Sequence, residues 1–443
     1  MEVERQGGLV SHVNMPASIL VINTGSSSLK FGLFAANSCE CLARGIVDWA
    51  GDPDHAELRL TGLSRADMKQ SVAVRTHGEA VGFALRAMIE NSLMEVAPAS
   101  QIKAVGHRVV HGGTLFRDSV VIDQRVRTAI AELATLAPLH NPPALEAIEA
   151  VETALPGVPQ VAVFDTSFFT TLPPKAFVYP LPYEWFTDWG VRRFGFHGIS
   201  HAYCARRAAE LLGRELCERR LVICHLGNGC SASAISNGQP IATTMGFTPL
   251  DGLMMGTRPG SLDPGILLDV QQRHGLTAES LDHILNHQSG LLGVSGVSAD
   301  VRQLEAAAQA GNDRARLALE MFADRVRATI GALAVTLGGV DALIFTAGVG
   351  ENSANLRAAI CNGLECLGLH LDHDRNSTAS PDADIASQPS PSRILVVESR
   401  EDVLIARETD CIVRHPDFLS QMWQPVDGGG LRVREEDAVS LFF

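Results

Sequence analysis

Three glycine-rich turns in the sequence have the composition of phosphate-binding segments. They are NTGSSSLK at residues 23–30, HLGNG at residues 225–229 and AGVGEN at residues 347–352, and each follows or ends a short apolar run. Glycine lets the backbone turn sharply and approach a ligand, while neighbouring amides and hydroxyls donate hydrogen bonds to phosphate oxygens. None is a Walker A loop, because the pattern G-x-x-x-x-G-K-[ST] is absent. A serine-rich β-turn without a ligand is the alternative for the first segment, but three such turns in one chain favour a polyphosphate ligand.

Two arginines lie next to glycines instead of among other charges. Arg108 is part of GHRVVHGG, and Arg258 is part of MGTRPGS. An arginine at the end of a strand among glycines more often points into a cleft, and guanidinium binds carboxylate and phosphate groups bidentately. Phosphoryl transfer needs such cations around the equatorial oxygens of the moving group. The alternative for both residues is a buried structural ion pair.

His197 and His201 form an i, i+4 pair in FGFHGISH. The zinc motif HExxH has this spacing, but its glutamate is absent here and Gly198 weakens a helix. A metal-binding pair is therefore not predicted. His197 in its neutral form could donate a hydrogen bond to a transferring phosphoryl oxygen, and a packed core histidine is the alternative.

Two acidic residues follow apolar runs and could hold a metal ion. Asp165 ends VAVFD, and Glu401 comes shortly after ILVV. A carboxylate at the carboxyl end of a strand lies where α/β proteins bind ligands. Mg²⁺ takes one or two carboxylates together with phosphate oxygens and water, which fits such a pair. For Glu401, charge compensation at the start of a helix is the alternative.

The elements that would position these residues alternate between strand and helix. Apolar, β-branched runs predict strands at residues 18–23, 29–34, 104–110, 158–164, 221–225, 231–236, 341–346 and 394–397, with a hairpin at Asn237-Gly238. Helices are predicted at residues 125–137, 314–337, 401–408 and from about residue 353, and a surface loop at residues 376–392. Two strand–turn–strand units, beginning at residues 18 and 221, indicate an internal duplication in an α/β protein.

Length and composition narrow the class of protein. A chain of 443 residues predicts two or three domains, and a net charge of −14 argues against non-specific binding to nucleic acid. No apolar run reaches the roughly 18 residues of a membrane span, and residues 1–16 lack the apolar segment of a secretory signal. Nine scattered cysteines without a paired CxxC pattern favour reduced thiols. We therefore expect a cytoplasmic protein that binds neither membranes nor nucleic acids.

The motifs and their order resemble those of the acetate kinase family. The matching strings are NTGSSSLK, GHRVVHGG, PLHNPP, VFDTSFF, RRFGFHGISH, HLGNG, MGFTPLDGLMMGTRPGSLDPG, FTAGVGEN and EDVLIARET, which run from about residue 17 to residue 409. The resemblance implies an α/β protein of the acetate and sugar kinase/Hsp70/actin (ribonuclease H-like) fold, with two duplicated domains on either side of a cleft, in a homodimer. We expect an N-terminal domain at residues 17–164, completed by residues 403–443, and a C-terminal nucleotide-binding domain at residues 165–402.

The same resemblance implies a direct in-line transfer of a phosphoryl group between ATP and a small carboxylate, with ATP or ADP as co-substrate and Mg²⁺ or Mn²⁺ as the metal. The implied catalytic residues are Arg108, Asp165, His197 and Arg258. Asn23 and Glu401 would hold the metal ion. The implied nucleotide-binding residues are Lys30, His225, Asn228, Gly229, Asp300, Arg302, Gly348, Gly350 and Asn352.

An apolar pocket would hold the methyl group of acetate. Together with Arg108, the resemblance implies Val110, Leu139, Phe196 and Pro249 as substrate-binding residues. Valine at position 110, where a smaller residue would leave more room, makes this pocket tight and favours acetate over propionate. One methylene is worth only about 1–3 kcal/mol in such a pocket, so the preference is modest.

Several functions stay open at this point. They are a kinase for acetate, a kinase for propionate or another short-chain carboxylate, and a non-catalytic ATP-binding module of the same fold. Arg108, Arg258 and the GFHG segment favour an enzyme. The chain departs from the family at residues 399–402, where SRED replaces Thr-Asn-Glu-Glu, so that Arg400 brings a cation beside the expected metal ligand. A degenerate kinase is therefore a further alternative.

Overall fold

The computed structural model describes residues 17–25, 27–50, 52–62, 65–90, 101–415, 425–426 and 430–431. Residues 1–16 and most of the tail after residue 415 lie outside the described residues; the tail is part of the segment 403–443 that we expected to complete the N-terminal domain. The described elements form two mixed sheets with helices packed on their faces.

The first sheet has eight strands, arranged in the order β5-β4-β3-β2-β1-β6-β8-β7. They are β1 (Ser18–Thr24), β2 (Ser28–Ala35), β3 (Cys41–Asp48), β4 (Ala56–Gly62), β5 (Arg65–Val72), β6 (Ile102–Val109), β7 (Val120–Val121) and β8 (Gln160–Phe164). β1 and β2 form an antiparallel hairpin, whereas β6 runs parallel to β1 and to β8. β1 has the sequence SILVINT and is buried along almost its whole length, as expected for a central strand covered on both faces.

The second sheet repeats this arrangement with six strands in the order β11-β10-β9-β12-β14-β13. They are β9 (Arg220–Leu226), β10 (Cys230–Ser236), β11 (Gln239–Thr243), β12 (Ala342–Thr346), β13 (Ala383–Asp384) and β14 (Arg393–Val396). β9 pairs antiparallel with β10, and β12 runs parallel to β9 and to β14. Asn237 and Gly238 both have positive φ angles, of 52° and 76°, as the predicted hairpin turn requires. The predicted α/β class and internal duplication are confirmed.

Helices connect the strands and join the two sheets. They are α1 (His77–Glu90), α2 (Gln124–Glu132), α3 (Asn141–Ala154), α4 (Pro174–Phe177), α5 (Tyr183–Thr187), α6 (Gly198–Leu211), α7 (Pro264–His274), α8 (Ala278–His287), α9 (Gly290–Ser295), α10 (Val301–Gln309), α11 (Asp313–Leu337), α12 (Ala347–Asn352), α13 (Ala354–Cys361), α14 (His373–Ser377) and α15 (Glu401–Arg414). In the tail, β15 (Pro425–Val426) pairs with β16 (Gly430–Leu431). α15 packs on β1, β6 and β8, and α6 contacts both α15 and β9. None of the helices described is long and apolar enough to cross a membrane.

Three predictions about these elements were wrong in detail. The glycine-rich segment at residues 347–352 is a short helix, α12, which Ala347 enters with a positive φ of 65°. Residues 376–392 are not wholly a surface loop, because β13 pairs with β14 and Ile385 and Ala386 are fully buried. α2 ends at Glu132, and a 3-10 turn follows it instead of further α-helix. The domain boundaries stay a prediction.

Candidate active site

Asp165 organises the centre of the candidate site. It directly follows β8, is fully buried, and accepts a hydrogen bond from Arg108 Nη2 at 2.9 Å. Its carboxylate also accepts the backbone N–H of His197 at 2.8 Å and that of Ile199 at 3.3 Å. Because β6 and β8 are parallel neighbours, Arg108 and Asp165 leave the sheet at the same edge. The carboxylate thus orients a cation from one strand and the start of α6.

Arg108 links this centre to the beginning of α15. Its Nε lies 3.9 Å from Glu401 Oε2, which in turn accepts a hydrogen bond from Asn23 Nδ2 at 3.2 Å. Burial lowers the pKa of Arg108, but the charges of Asp165 and Glu401 and the hydrogen bond that Arg108 donates to Asp165 outweigh this effect, so that the pKa is raised. Lys30 is paired with Asn23 across the first hairpin. Two cations, an amide and two carboxylates therefore gather where β1, β6 and β8 end.

His197 is held at the N-terminus of α6 in a left-handed conformation with φ of 58°. Gly198 allows the start of α6 to lie close to Asp165, because a Cβ at position 198 would be 2.2 Å from the Asp165 carbonyl oxygen. The imidazole stacks on that of His225 with ring centres 4.1 Å apart. Burial, and then the charges of His225 and Arg108, lower the pKa of His197 well below its usual value. His197 is therefore a neutral imidazole at pH 7.

Arg258 approaches the same point from the second half of the chain. Its Nη1 donates to the Pro249 carbonyl oxygen at 2.9 Å. A Cβ at Gly229 would lie 3.0 Å from Arg258 Nη2 and 3.4 Å from His197 Nε2, so these two side chains meet at the turn of the second hairpin. Burial lowers the pKa of Arg258, and no ion pair to a carboxylate is found for it among the described residues. This guanidinium is therefore available for an anionic ligand.

The segments that carry the expected nucleotide-binding residues lie on both sides of this turn. Gly256 lies between Asn228 and Ala299 and close to both, since a Cβ at Gly256 would be 2.2 Å from Asn228 Oδ1 and 3.3 Å from the Ala299 Cβ. Asp300 follows and caps α10, and its carboxylate pairs with the exposed Arg302 at 2.6 Å. On the other side, a Cβ at Gly227 would lie 3.7 Å from that of Ala347, where α12 begins.

The glycines of α12 differ in their surroundings. A Cβ on Gly348 would meet no atom within 4 Å, whereas one on Gly350 would lie 3.4–3.7 Å from Phe345 and Leu226. Asn352 donates from Nδ2 to the Gly348 carbonyl oxygen at 2.8 Å. Gly348 thus leaves open space over the helix, while Gly350 packs on β9 and β12.

The residues expected to bind the substrate differ in their burial. Val110 and Phe196 are 5% and 1% exposed and belong to the same apolar cluster. Pro249 is partly buried and binds Arg258 through its carbonyl, whereas Leu139 is 49% exposed. Val110 and Phe196 are therefore packed in one apolar cluster, whereas Leu139 faces solvent, and the substrate pocket stays a prediction.

Two residues at the site, His140 and Ser231, were missed by the sequence predictions. Burial, with the charges of Arg108 and Arg258, lowers the pKa of His140 to about 4, so this histidine lies within electrostatic range of both arginines. Its position between Leu139 and Asn141-Pro142 in PLHNPP was the available signal. Ser231 contacts His197 at 3.0 Å, and the alternating pattern of SASAIS predicts that it shares a face with Ser233.

The residues near Glu401 suit a magnesium ion that is shared with a nucleotide. Among the residues described, no group of three or more His, Cys, Asp or Glu side chains could hold a metal alone. Mg²⁺ does not need such a group, because it binds one or two carboxylates and takes its other ligands from phosphates and water. Glu401 supplies a carboxylate beside the Asn23 amide, and Arg400 pairs with Asp402 at 3.0 Å instead of with Glu401. The donor set fits.

Comparison with known proteins identifies close relatives over most of the chain. A model of the acetokinase family matches residues 18–407. An acetate kinase of Cyanothece sp. is 51% identical over 396 residues, which cover 88% of this chain and 97% of that protein. An acetate kinase of Gloeobacter violaceus is 50% identical over 398 residues, 88% of this chain and 98% of that protein. The crystal structure of Porphyromonas gingivalis acetate kinase matches with a TM-score of 0.82 and 41% identity, and the match covers 90% of this chain and 100% of that one. A propionate kinase of Francisella tularensis has a TM-score of 0.82 and 36% identity, covering 89% and 99%.

Proposed function

The chain belongs to the acetokinase family, and we propose on this basis that it transfers a phosphoryl group reversibly between ATP and acetate. It is a phosphotransferase with a carboxyl group as acceptor. In the direction of acyl-phosphate synthesis, a carboxylate oxygen of acetate attacks the γ-phosphorus of ATP. The bond from that phosphorus to the bridging oxygen breaks, and the electron pair leaves with ADP.

The observation that carries the proposal is a pair of cleft arginines without a poised general base. The Asp165 carboxylate is already engaged by Arg108 and by backbone amides, and burial makes His197 a poor base. A hydroxyl acceptor would have to lose its proton during transfer, and such a site would be expected to provide a base. A carboxylate is already ionised at neutral pH and needs none. The chemistry of these side chains therefore matches a carboxylate acceptor.

The transferring group carries negative charge on its equatorial oxygens, and three of the implied catalytic residues, Arg108, His197 and Arg258, can stabilise it. Arg108 and Arg258 supply guanidinium groups from the two halves of the chain, and His197, on which both charges act, supplies a neutral N–H beside Arg258. Asp165 positions Arg108 and the start of α6. Prearranged donors of this kind need no reorganisation as the charge moves.

The phosphates of ATP would lie between the two hairpin turns. Lys30 and His225 act from the first and second sheets, with Asn228 and Gly229 in the second turn. The base and ribose would pass over the segments that contain Asp300, Arg302, Gly348, Gly350 and Asn352, where Gly348 leaves open space. Asn23 and Glu401 would hold Mg²⁺, which neutralises phosphate charge when bound.

Acetate is the favoured substrate, with propionate as the second candidate. The 51% identical relative is an acetate kinase, whereas the propionate kinase from Francisella tularensis is 36% identical. The buried Val110 and Phe196 narrow the pocket that Leu139 and Pro249 complete. A non-catalytic ATP-binding module would not need this apolar pocket.

We also propose a cytoplasmic homodimer, as the family resemblance implies. Tyr183 and Trp189 expose 62% and 67% of their surface near α5, and they offer apolar area that a second copy could cover. Light scattering after size exclusion tests this assembly, and a purely monomeric protein at micromolar concentration would contradict it.

The deciding experiment is an acyl-phosphate assay with acetate, propionate and butyrate under the same Mg-ATP conditions. Hydroxylamine traps an acyl phosphate as a hydroxamate, so product formation is separated from simple ATP hydrolysis. We expect the highest kcat/KM with acetate. ATP hydrolysis without hydroxamate from any of the three acids would refute the proposed function.

A further inference from the structure

The hydroxyl of Ser231 lies between two buried histidine side chains. Ser231 Oγ is 3.0 Å from His197 Nδ1 and 2.8 Å from His201 Nε2. Ser231 and His201 are both fully buried. The two imidazoles are the hydrogen-bond partners of this hydroxyl among the described side chains. His197 and His201 are one helical turn apart at the start of α6, and Ser231 reaches both from β10.

The surroundings of His201 determine which of its nitrogens carries the proton. Its Nδ1 is buried and has no hydrogen-bond partner among the described residues. A buried N–H without an acceptor is rarer in proteins than an acceptor without a donor, because each lost donor costs its full desolvation. A neutral His201 therefore keeps its hydrogen on Nε2 and donates it to Ser231 Oγ.

The hydrogen of Ser231 then has one remaining acceptor. A serine hydroxyl donates once and accepts twice. Since it accepts from His201, its own hydrogen points to His197 Nδ1. We propose that Ser231 and His201 are positioning residues, which hold His197 in the tautomer with hydrogen on Nε2 and direct that N–H into the cleft.

This direction matters because of what His197 Nε2 faces. It lies beside Gly229 and close to the Arg258 guanidinium, on the side away from Ser231. In the proposed tautomer the nitrogen donates to an anionic phosphoryl oxygen, whereas the opposite tautomer would present a lone pair and repel it. The inference rests on the proposed function for its catalytic meaning, but the tautomer itself can be measured without any turnover.

The matched pair of variants is Ser231→Ala and Ser233→Ala. Both serines are fully buried on the same face of β10, and both approach His201 Nε2, but only Ser231 also contacts His197. Long-range ¹H–¹⁵N spectra of histidine-labelled protein distinguish protonated from unprotonated ring nitrogens, and His197→Asn identifies the His197 signals. We expect Nε2–H in the parent protein, with Nδ1 shifted by an accepted hydrogen bond.

Ser231→Ala is expected to remove the Nδ1 shift and to let the Nδ1–H tautomer appear, while Ser233→Ala changes neither. Deleting a transition-state donor costs about 10²–10³-fold in kcat, so misdirecting one should cost less, about tenfold, with little change in the KM for acetate. His201→Gln keeps a donor near the Nε2 position and should retain more activity than His201→Leu.

Two results would overturn the inference. The first is an Nδ1–H or doubly protonated His197 in the parent protein at pH 7. The second is an Nδ1 signal that Ser231→Ala leaves in place. Because both are read from spectra, they are distinct from a failure of the proposed function, which would appear as absent hydroxamate in the parent protein.

Discussion

Replacing Val110 by alanine should widen the specificity of the kinase from acetate toward propionate. Val110 is 5% exposed and shares an apolar cluster with Phe196, so the substitution opens space against a wall that does not move freely. Burying one extra methylene is worth about 0.8 kcal/mol, which corresponds to about a fourfold change in kcat/KM. If the valine also clashes with propionate, relief of about 1–3 kcal/mol raises the change to about tenfold or more. We expect the propionate-to-acetate ratio to rise by about 4- to 200-fold.

The control is Val109→Ala at the preceding position. Val109 is fully buried but belongs to a different apolar cluster, together with Phe116 and Phe164. Each substitution should lower the free energy of unfolding by about 2 kcal/mol, because each removes two buried methyl groups and leaves a small cavity. The measurement is kcat/KM for both acids by hydroxamate formation, with urea unfolding in parallel. An unchanged ratio in Val110→Ala, or an equal rise in Val109→Ala, would refute the assignment of Val110 to the pocket.

Three further predictions test the charges of the site. Arg258→Ala should reduce acyl-phosphate formation by about 10³-fold with ATP affinity within about threefold of the parent, because one cation on the moving group is lost; equal loss of both in a folded protein would count against its role. Glu401→Gln should raise the Mg²⁺ concentration that gives the half-maximal rate by at least about tenfold. Asp402→Asn should not, because the Asp402 carboxylate of the parent protein pairs with Arg400. Identical Mg²⁺ curves for the two variants would disprove the metal assignment. Burial lowers the pKa of His107 to about 4. As the pH falls below about 6.5, His107 is therefore protonated in the unfolded chain while it stays neutral in the folded protein, and this favours unfolding. Between pH 7 and pH 5 the free energy of unfolding of His107→Gln should therefore fall by about 2 kcal/mol less than that of the parent protein. Urea titrations at both pH values measure this, and an equal fall in the two proteins would contradict the prediction.

Local sequence accounts well for the elements of the two sheets. Short β-branched runs such as SILVIN and LVICH must be covered on both faces, and they became the central strands β1 and β9. Asn237-Gly238 formed the hairpin turn because both positions need a positive φ angle. The prediction was poorer at residues 347–352, where glycines usually weaken a helix but the end of a buried strand and the following helix imposed one.

The chemical types at the site were also legible in the sequence. Local patterns predicted four site residues from the sequence alone. Arg108 and Arg258 lie among glycines, Asp165 ends a predicted strand, and His197 lies in the GFHG segment. His140 and Ser231 were not identified, because the signals they carry, the prolines of PLHNPP and the alternation of SASAIS, are equally typical of structural residues.

Contacts between distant segments were decided by the packing of the two halves. Asn23 and Glu401 are 378 positions apart, yet their side chains share a hydrogen bond, because α15 packs back onto β1. His201 illustrates the same limit: its spacing from His197 resembles a metal-binding pair, and the chain instead places Ser231 of β10 between them. Propensity and periodicity act over a few residues, whereas such contacts follow from which buried faces close on one another.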